Sequence, residues 1–184
     1  MYLVLDTESI GFKTEKHSLV QLSYYIFDID RNIIKESDSL VSPDGWSLDD
    51  WEDLPFDWNQ DDCIILGEPL DCILQNLLKD IGLANYIIAH NIDFDLELIC
   101  KEFNSPELNS EIEQKVCFCT MKESVDLCKI PFFSNRFKFP SLIEAINNLT
   151  NVEIDFQRLH NAKYDAYLCS ELFFAVLDKK KSYF

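Results

Sequence analysis

At 184 residues the chain is long enough for one domain with a substantial buried core. Its 47% hydrophobic and 13% aromatic content is that of an ordinary globular protein. The 16 Lys and Arg against 33 Asp and Glu leave a formal net charge of -17, which excludes a broad basic nucleic-acid surface and repels long duplex.

No apolar run reaches about 18 residues, so no membrane span is expected. The opening MYLVLDTES has no basic n-region and reads as a first strand, not as a secretory signal. The seven cysteines are odd in number, scattered and without a CxxC pair, so no zinc set is expected. Cys72, Cys100 and Cys169 fall on apolar faces and read as reduced thiols of a cytoplasmic protein.

In chain order, Tyr2 to Leu5 is a continuous apolar run, as in a strand buried on both faces. Leu19 to Asp30 and Ile33 to Val41 are β-rich and joined across Asp30, Arg31 and Asn32, which reads as a hairpin. Residues 42–66 read as a long acidic connection carrying Trp46, Trp51 and Trp58. From Glu68 to Ile81 the positions Leu70, Ile73, Leu74, Leu77, Leu78 and Ile81 predict a helix stopped by Gly82. Tyr86 to Ala89 predicts a short strand, and Leu96, Ile99, Cys100 and Phe103 a second amphipathic helix. Residues 117–130 predict a brief strand and a helix, and Leu142 to Leu149 a further helix. The last helix runs from about Ala162 into Lys179, Lys180 and Lys181, whose charges suit a helix C-terminus. Three strands followed by alternating helices and strands predict a layered α/β fold in a single domain, 1–184.

Four acids just past apolar runs carry the chemistry: Asp6 and Glu8, Asp95, and Asp165. In a strand, residues two apart share a face, so Asp6 and Glu8 project together. Asp95 falls at the start of a helix, where it and Asp93 would also complement the dipole. His160 stands five residues before Asp165, and a histidine there suits a general base. Four carboxylates in one cleft demand compensating positive charge, and two divalent cations supply it in the manner of phosphodiester-cleaving sites. His17 and His90 read as loop or strand-end hydrogen-bonding groups.

These motifs together resemble the DEDDh 3′–5′ exonucleases of the DnaQ-like family. LVLDTESIG looks like the first motif, AHNIDFD is similar to the second and aligns Asp95 with the acid, and HNAKYDA is similar to the third. The histidine subtype fits, because the position of the alternative tyrosine is Asn161. VQLSYYIFD, GEPLDCILQNLL and CTMKESVDLCK…KFPSL extend the resemblance over nearly the whole chain.

The resemblance implies a ribonuclease H-like fold, a five-stranded mixed sheet flanked by helices. It implies two divalent cations, Mg²⁺ or Mn²⁺, held by Asp6, Glu8, Asp95 and Asp165, with His160 as general base. It places Thr7, Ser9, Ile10, Phe12, His90, Asn91 and Phe94 near the substrate, the 3′ end of single-stranded DNA or RNA, with nucleoside monophosphates released. A homodimer or a polymerase partner is compatible with it. The chain departs from the family at Ser9 and Ile10 and at PFDWNQDD, where a His-Gly-Ile-Thr element is common. A catalytically silent nucleic-acid or protein interaction module on the same fold is the alternative.

One further stretch, Pro131 to Pro140, interleaves Arg136 and Lys138 with four phenylalanines. The simplest reading is a loop whose phenylalanines fill the core. The other is an aromatic surface for unpaired bases.

Overall fold

The computed structural model describes residues 1–10, 18–43, 56, 58–133 and 136–181. Five strands, β1 (Tyr2–Ile10), β2 (Ser18–Phe27), β3 (Ile33–Leu40), β4 (Tyr86–Ala89) and β5 (Val116–Cys119), form one mixed sheet in the order β3-β2-β1-β4-β5. β1 runs antiparallel to β2 and parallel to β4. The β2–β3 pair is antiparallel and the β4–β5 pair parallel. The helices are α1 (Gln60–Leu66), α2 (Leu70–Leu83), α3 (Ile92–Phe103), α4 (Pro106–Glu113), α5 (Thr120–Cys128), α6 (Leu142–Leu149) and α7 (Ala162–Lys181). This is the ribonuclease H-like α/β architecture that the resemblance implies.

The apolar run at the start of β1 is explained by its central place in the sheet. Leu3 and Leu5 join the core beneath α2 and α3, with Ile73, Leu74, Leu77 and Ile99. Val4 faces the other way, toward Ala166, Cys169 and Phe173 of α7. α7 is held on a second side as well, where Leu168, Leu172 and Val176 pack on Ala145, Ile146 and Leu149 of α6. A helix buried on two sides has little freedom to shift along its axis.

β1 is longer than its apolar run. Its pairing with β4 ends at Val4, opposite Ile88, whereas its pairing with β2 continues to Ile10 opposite Ser18. Asp6 and Glu8 therefore lie within the strand, on a stretch paired only with β2. The open side lies at the carboxyl ends of the parallel strands, where α/β sheets form their clefts.

Other boundaries differ from the sequence reading. The β2–β3 turn spans residues 28–32, because Asp28 accepts the backbone N–H groups of Asp30 and Asn32 (2.8 and 2.9 Å) and Arg31 takes a left-handed φ of 70°. Helix α1 occupies the end of the expected 42–66 connection. It starts with a capping box in which Asn59 and Asp62 serve each other's backbone N–H groups. Its periodicity is hidden because only Cys63 is buried while Ile64, Ile65 and Leu66 are exposed. Helix α4 was not expected, although Ser105 at the N-cap and Pro106 at the first turn announce it. Gly82 does not stop α2 but lies inside it, and Ala84 forms the C-cap. All seven cysteines are unpaired. Cys169 is buried as expected, but Cys72 is exposed. Among the described residues, no helix is long and apolar enough to cross a membrane.

The two helix-associated glycines yield opposite expectations. A Cβ on Gly67 would lie 2.2 Å from the Cys63 carbonyl and 2.7 Å from the Ser42 nitrogen, both backbone atoms that cannot swing away. Gly67→Ala is expected to cost roughly 1–3 kcal/mol, as overpacking does. A Cβ on Gly82 meets nothing within 4 Å, so Gly82→Ala should gain up to about 1 kcal/mol from helix propensity. Urea midpoints of the two variants, shifted in opposite directions, would check both.

Candidate active site

The alternation of β1 divides its second half between two faces. Asp6 and Glu8 share the side of Val4, which looks toward α7, while Thr7 points toward α3. Thr7 is nearly buried, and its hydroxyl donates to Asp95 Oδ1 at 2.8 Å. Asp95 lies in the first turn of α3 and is 3% exposed. The chain enters that helix through Asn91, which is in the left-handed region at φ 75° and ψ 46° and makes no side-chain cap bond.

Asp165 occupies the first turn of α7. Its Oδ2 accepts the backbone N–H of His160 at 3.1 Å, while its Oδ1 is buried without a hydrogen-bond partner among the described residues. His160 is itself left-handed at φ 62°, which turns the loop and leaves its ring exposed. Asn161 caps α7, its Oδ1 accepting from Lys163 N (3.1 Å) and Tyr164 N (3.2 Å). The same helix start is fastened to the sheet by Gln21 on β2, whose Oε1 accepts from Ala162 N at 3.1 Å and from Trp58 Nε1 at 3.0 Å. One ligand atom each from Glu8, His160 and Asp165 can be chosen so that all lie within 4.8 Å of one another.

Electrostatics joins the four acids. Burial, and then the negative charges of Asp95, Glu8 and Asp165, pushes the Asp6 carboxyl well above the usual carboxylate range. Burial raises Asp95 to about 7 against the opposing pull of the Thr7 hydroxyl. Burial likewise raises Asp165 to about 6, opposed by the His160 N–H. Every one of these shifts disfavours the ionised form, and a cation between the carboxylates would reverse them. The unpartnered Asp165 Oδ1 and the all-oxygen carboxylate set fit a hard divalent ion. Asp6, Glu8, Asp95 and Asp165 are the residues that could hold it.

The expected substrate contacts divide. Ser9 is half-buried beside a bulge in which Val20 is the extra residue on β2. Asn91 is exposed. Phe94 is half-buried against the core under α3. Three others are committed inside the protein. Ile10 is 3% exposed and packs with Val20, Phe56 and Trp58, which leaves little surface for a base. Thr7 serves Asp95. The His90 ring spans Pro140 and Thr120. Its Nε2 donates to the Pro140 carbonyl at 3.1 Å, so its Nδ1, 2.9 Å from Thr120 Oγ1, is the acceptor. Burial lowers the His90 pKa to about 4, which keeps that tautomer neutral. Phe12 and His17 lie outside the described residues. Sequence reasoning missed the positioning work of Thr7 and Gln21. For Gln21 the signal was present, an amide interrupting the apolar strand SLVQLSYYIF.

No family model and no curated protein matches the sequence. Solved structures do match. Apo exonuclease I superimposes with a TM-score of 0.72 at 15% identity, over 96% of this chain and 42% of that one. E. coli exonuclease I in complex with a dA16 oligonucleotide gives 0.70 at 16% identity, over 97% and 40%. The zinc ion bound form of the E. coli ExoI–ssDNA complex gives 0.70 at 17% identity, over 97% and 40%. The chain spans about two fifths of the length of those proteins and has their fold.

The raised carboxylates make the metal-free protein sensitive to pH. Unfolded, these acids titrate near pH 4. Folded, Asp165 and Asp95 hold their protons to about pH 6 and 7. The folded state then binds more protons than the unfolded state, so stability falls as pH rises through that window. The melting temperature in EDTA should decline from pH 5 to 8, and Asp95→Asn should remove part of the decline. Thr7→Val should shrink the stabilisation by Mn²⁺ while Thr7→Ser retains it, as thermal shifts would show.

Proposed function

We propose that the chain is a metal-dependent 3′–5′ exonuclease that releases nucleoside monophosphates from single-stranded nucleic acid. The observation that carries this reading is the buried, unpartnered Asp165 Oδ1 at the point where Asp6, Glu8 and Asp95 also converge. Among the described residues no donor meets that oxygen, and the burial that raises the Asp6, Asp95 and Asp165 carboxyls makes a cation-free site unfavourable.

Asp6, Glu8, Asp95 and Asp165 would hold two divalent cations, Mg²⁺ or Mn²⁺. Bound there, the cations would acidify the attacking water and neutralise charge on the scissile phosphate and its leaving oxygen. The chain's own residues do the rest. His160, exposed beside Glu8 and Asp165, takes the proton of the attacking water. The bond from its backbone N–H to Asp165 fixes the loop without using the ring. Thr7 orients Asp95, and Gln21 with Asn161 sets the start of α7 and hence the position of Asp165. Asn91 and Ser9 stand at the rim with polar groups for the terminal nucleotide. The net charge of -17 favours a short or unpaired strand over duplex. The exonuclease I structures with single-stranded DNA make DNA the first substrate to test.

On 5′-labelled DNA and RNA oligonucleotides, Mn²⁺ or Mg²⁺ should produce a ladder shortening from the 3′ end, and EDTA should abolish it. Asp165→Asn should nearly eliminate the ladder, and His160→Ala should slow it by about 10²–10⁴-fold, the usual worth of a general base. Full activity in Asp165→Asn would overturn the site assignment. No cleavage and no thermal shift with Mn²⁺ would indicate a silent interaction module.

A further inference from the structure

The connection between α5 and α6 is unlike the rest of the surface. The sequence admits a loop whose phenylalanines fill the core, but the structure places them outside. Phe132 is 58% exposed, Phe133 81%, Phe137 43% and Phe139 60%. Four large apolar side chains on one short connection form the kind of exposed patch that marks a binding surface.

The described backbone here is hydrogen-bonded across the connection. Pro131 and Phe137 form an antiparallel bridge, Phe132 N donates to Arg136 O at 2.8 Å, and Lys138 N donates to Ile130 O at 3.0 Å. The result is a small hairpin that presents its aromatic rings instead of folding them inward. Its foot is anchored twice. Pro140 O accepts from the His90 ring at 3.1 Å, and Lys138 pairs with Glu144 at 2.6 Å, where Glu144 also accepts from Ser141 N at the start of α6. His90 directly precedes Asn91 and the helix that bears Asp95. The hairpin therefore rises from the rim of the carboxylate site.

Its chemistry selects the occupant. Arg136 lies among the exposed rings and makes no ion pair among the described residues. A nucleobase offers a flat π-face to each ring, and the phosphate between two bases suits a guanidinium. A strongly acidic chain cannot attract a strand by long-range charge, so stacking is the available source of affinity.

We infer that the hairpin, through Phe132, Phe133, Arg136, Phe137 and Phe139, is a stacking platform for single-stranded nucleic acid, gripping nucleotides on the 5′ side of the terminal one. The assignment of those nucleotides to the 5′ side rests on the exonuclease reading; the stacking itself does not. Affinity based on stacking releases few counterions, so binding here should depend only weakly on salt, with a log–log slope of magnitude about 1.

The test measures anisotropy of a labelled twelve-nucleotide oligothymidine on the full chain in EDTA, where no cleavage competes. Phe133→Ala and Phe139→Ala should each weaken binding about fivefold to a hundredfold, with Phe133→Trp restoring it. In Mn²⁺, the same alanine variants should lose far more activity on the oligonucleotide than on thymidine 5′-monophosphate p-nitrophenyl ester, which has no further base to stack. Unchanged affinity in both alanine variants would overturn the platform while leaving ester hydrolysis, and the exonuclease reading, intact. Weakened affinity in a protein that hydrolyses neither compound would keep the platform and remove the exonuclease. A shift in sedimentation without loss of oligonucleotide affinity would make the hairpin a protein contact and overturn the proposal.

Discussion

Like charges brought together under burial are the constraint on which this structure turns. Burial pushes Asp6, Asp95 and Asp165 toward their neutral forms, and at Asp6 the charges of Asp95, Glu8 and Asp165 add to it. The acids stay in place because each is held by a separate anchor: the strand itself for Asp6, the Thr7 hydroxyl for Asp95, and the His160 N–H with the capped helix start for Asp165. The helices behind those anchors are secured by apolar burial. Leu168, Leu172, Phe173 and Val176 of α7 are essentially inaccessible, and each such side chain contributes roughly 1.5–3 kcal/mol. Together they outweigh the cost of keeping one carboxylate where water would not put it.

The same balance accounts for the surface. With a net charge of -17, the protein cannot gather nucleic acid by its overall field. If the proposed function holds, recognition would be confined to short range: the carboxylates at the strand end, polar groups beside them and the exposed rings of the α5–α6 connection. Such a surface favours substrates whose bases are already unstacked.

Much of this was legible in the sequence because it followed from periodicity and charge. The apolar start of β1, the helical spacing of α2 and α3, and the paired acids of DTE all carry their geometry in their spacing. Helix α1 has almost no buried face, so hydrophobic pattern could not reveal it, and its only local signal is the Asn59–Asp62 capping box. Gly82 looked like a terminator but sits in open space within α2. The resemblance places Thr7 and His90 near a substrate, yet both make internal bonds; His90 is the strand-end hydrogen-bonding group its position suggests, whereas the partner of Thr7 depends on which distant element packs over it. For the phenylalanines of the α5–α6 connection, composition alone could not distinguish a core from an exposed surface, since the residue type is the same in both.

The packing of α7 against β1 also governs when the site comes into being. Asp6 and Glu8 are among the first residues of the sequence, and Asp165 follows only after both layers of helices have been specified. Contacts between such distant segments form late, since closing long loops must precede them. A chain emerging from the ribosome in order would carry Asp6 and Glu8 long before Asp165 existed. The carboxylate cluster is thus closed by α7, and its geometry arrives only when that helix docks on β1.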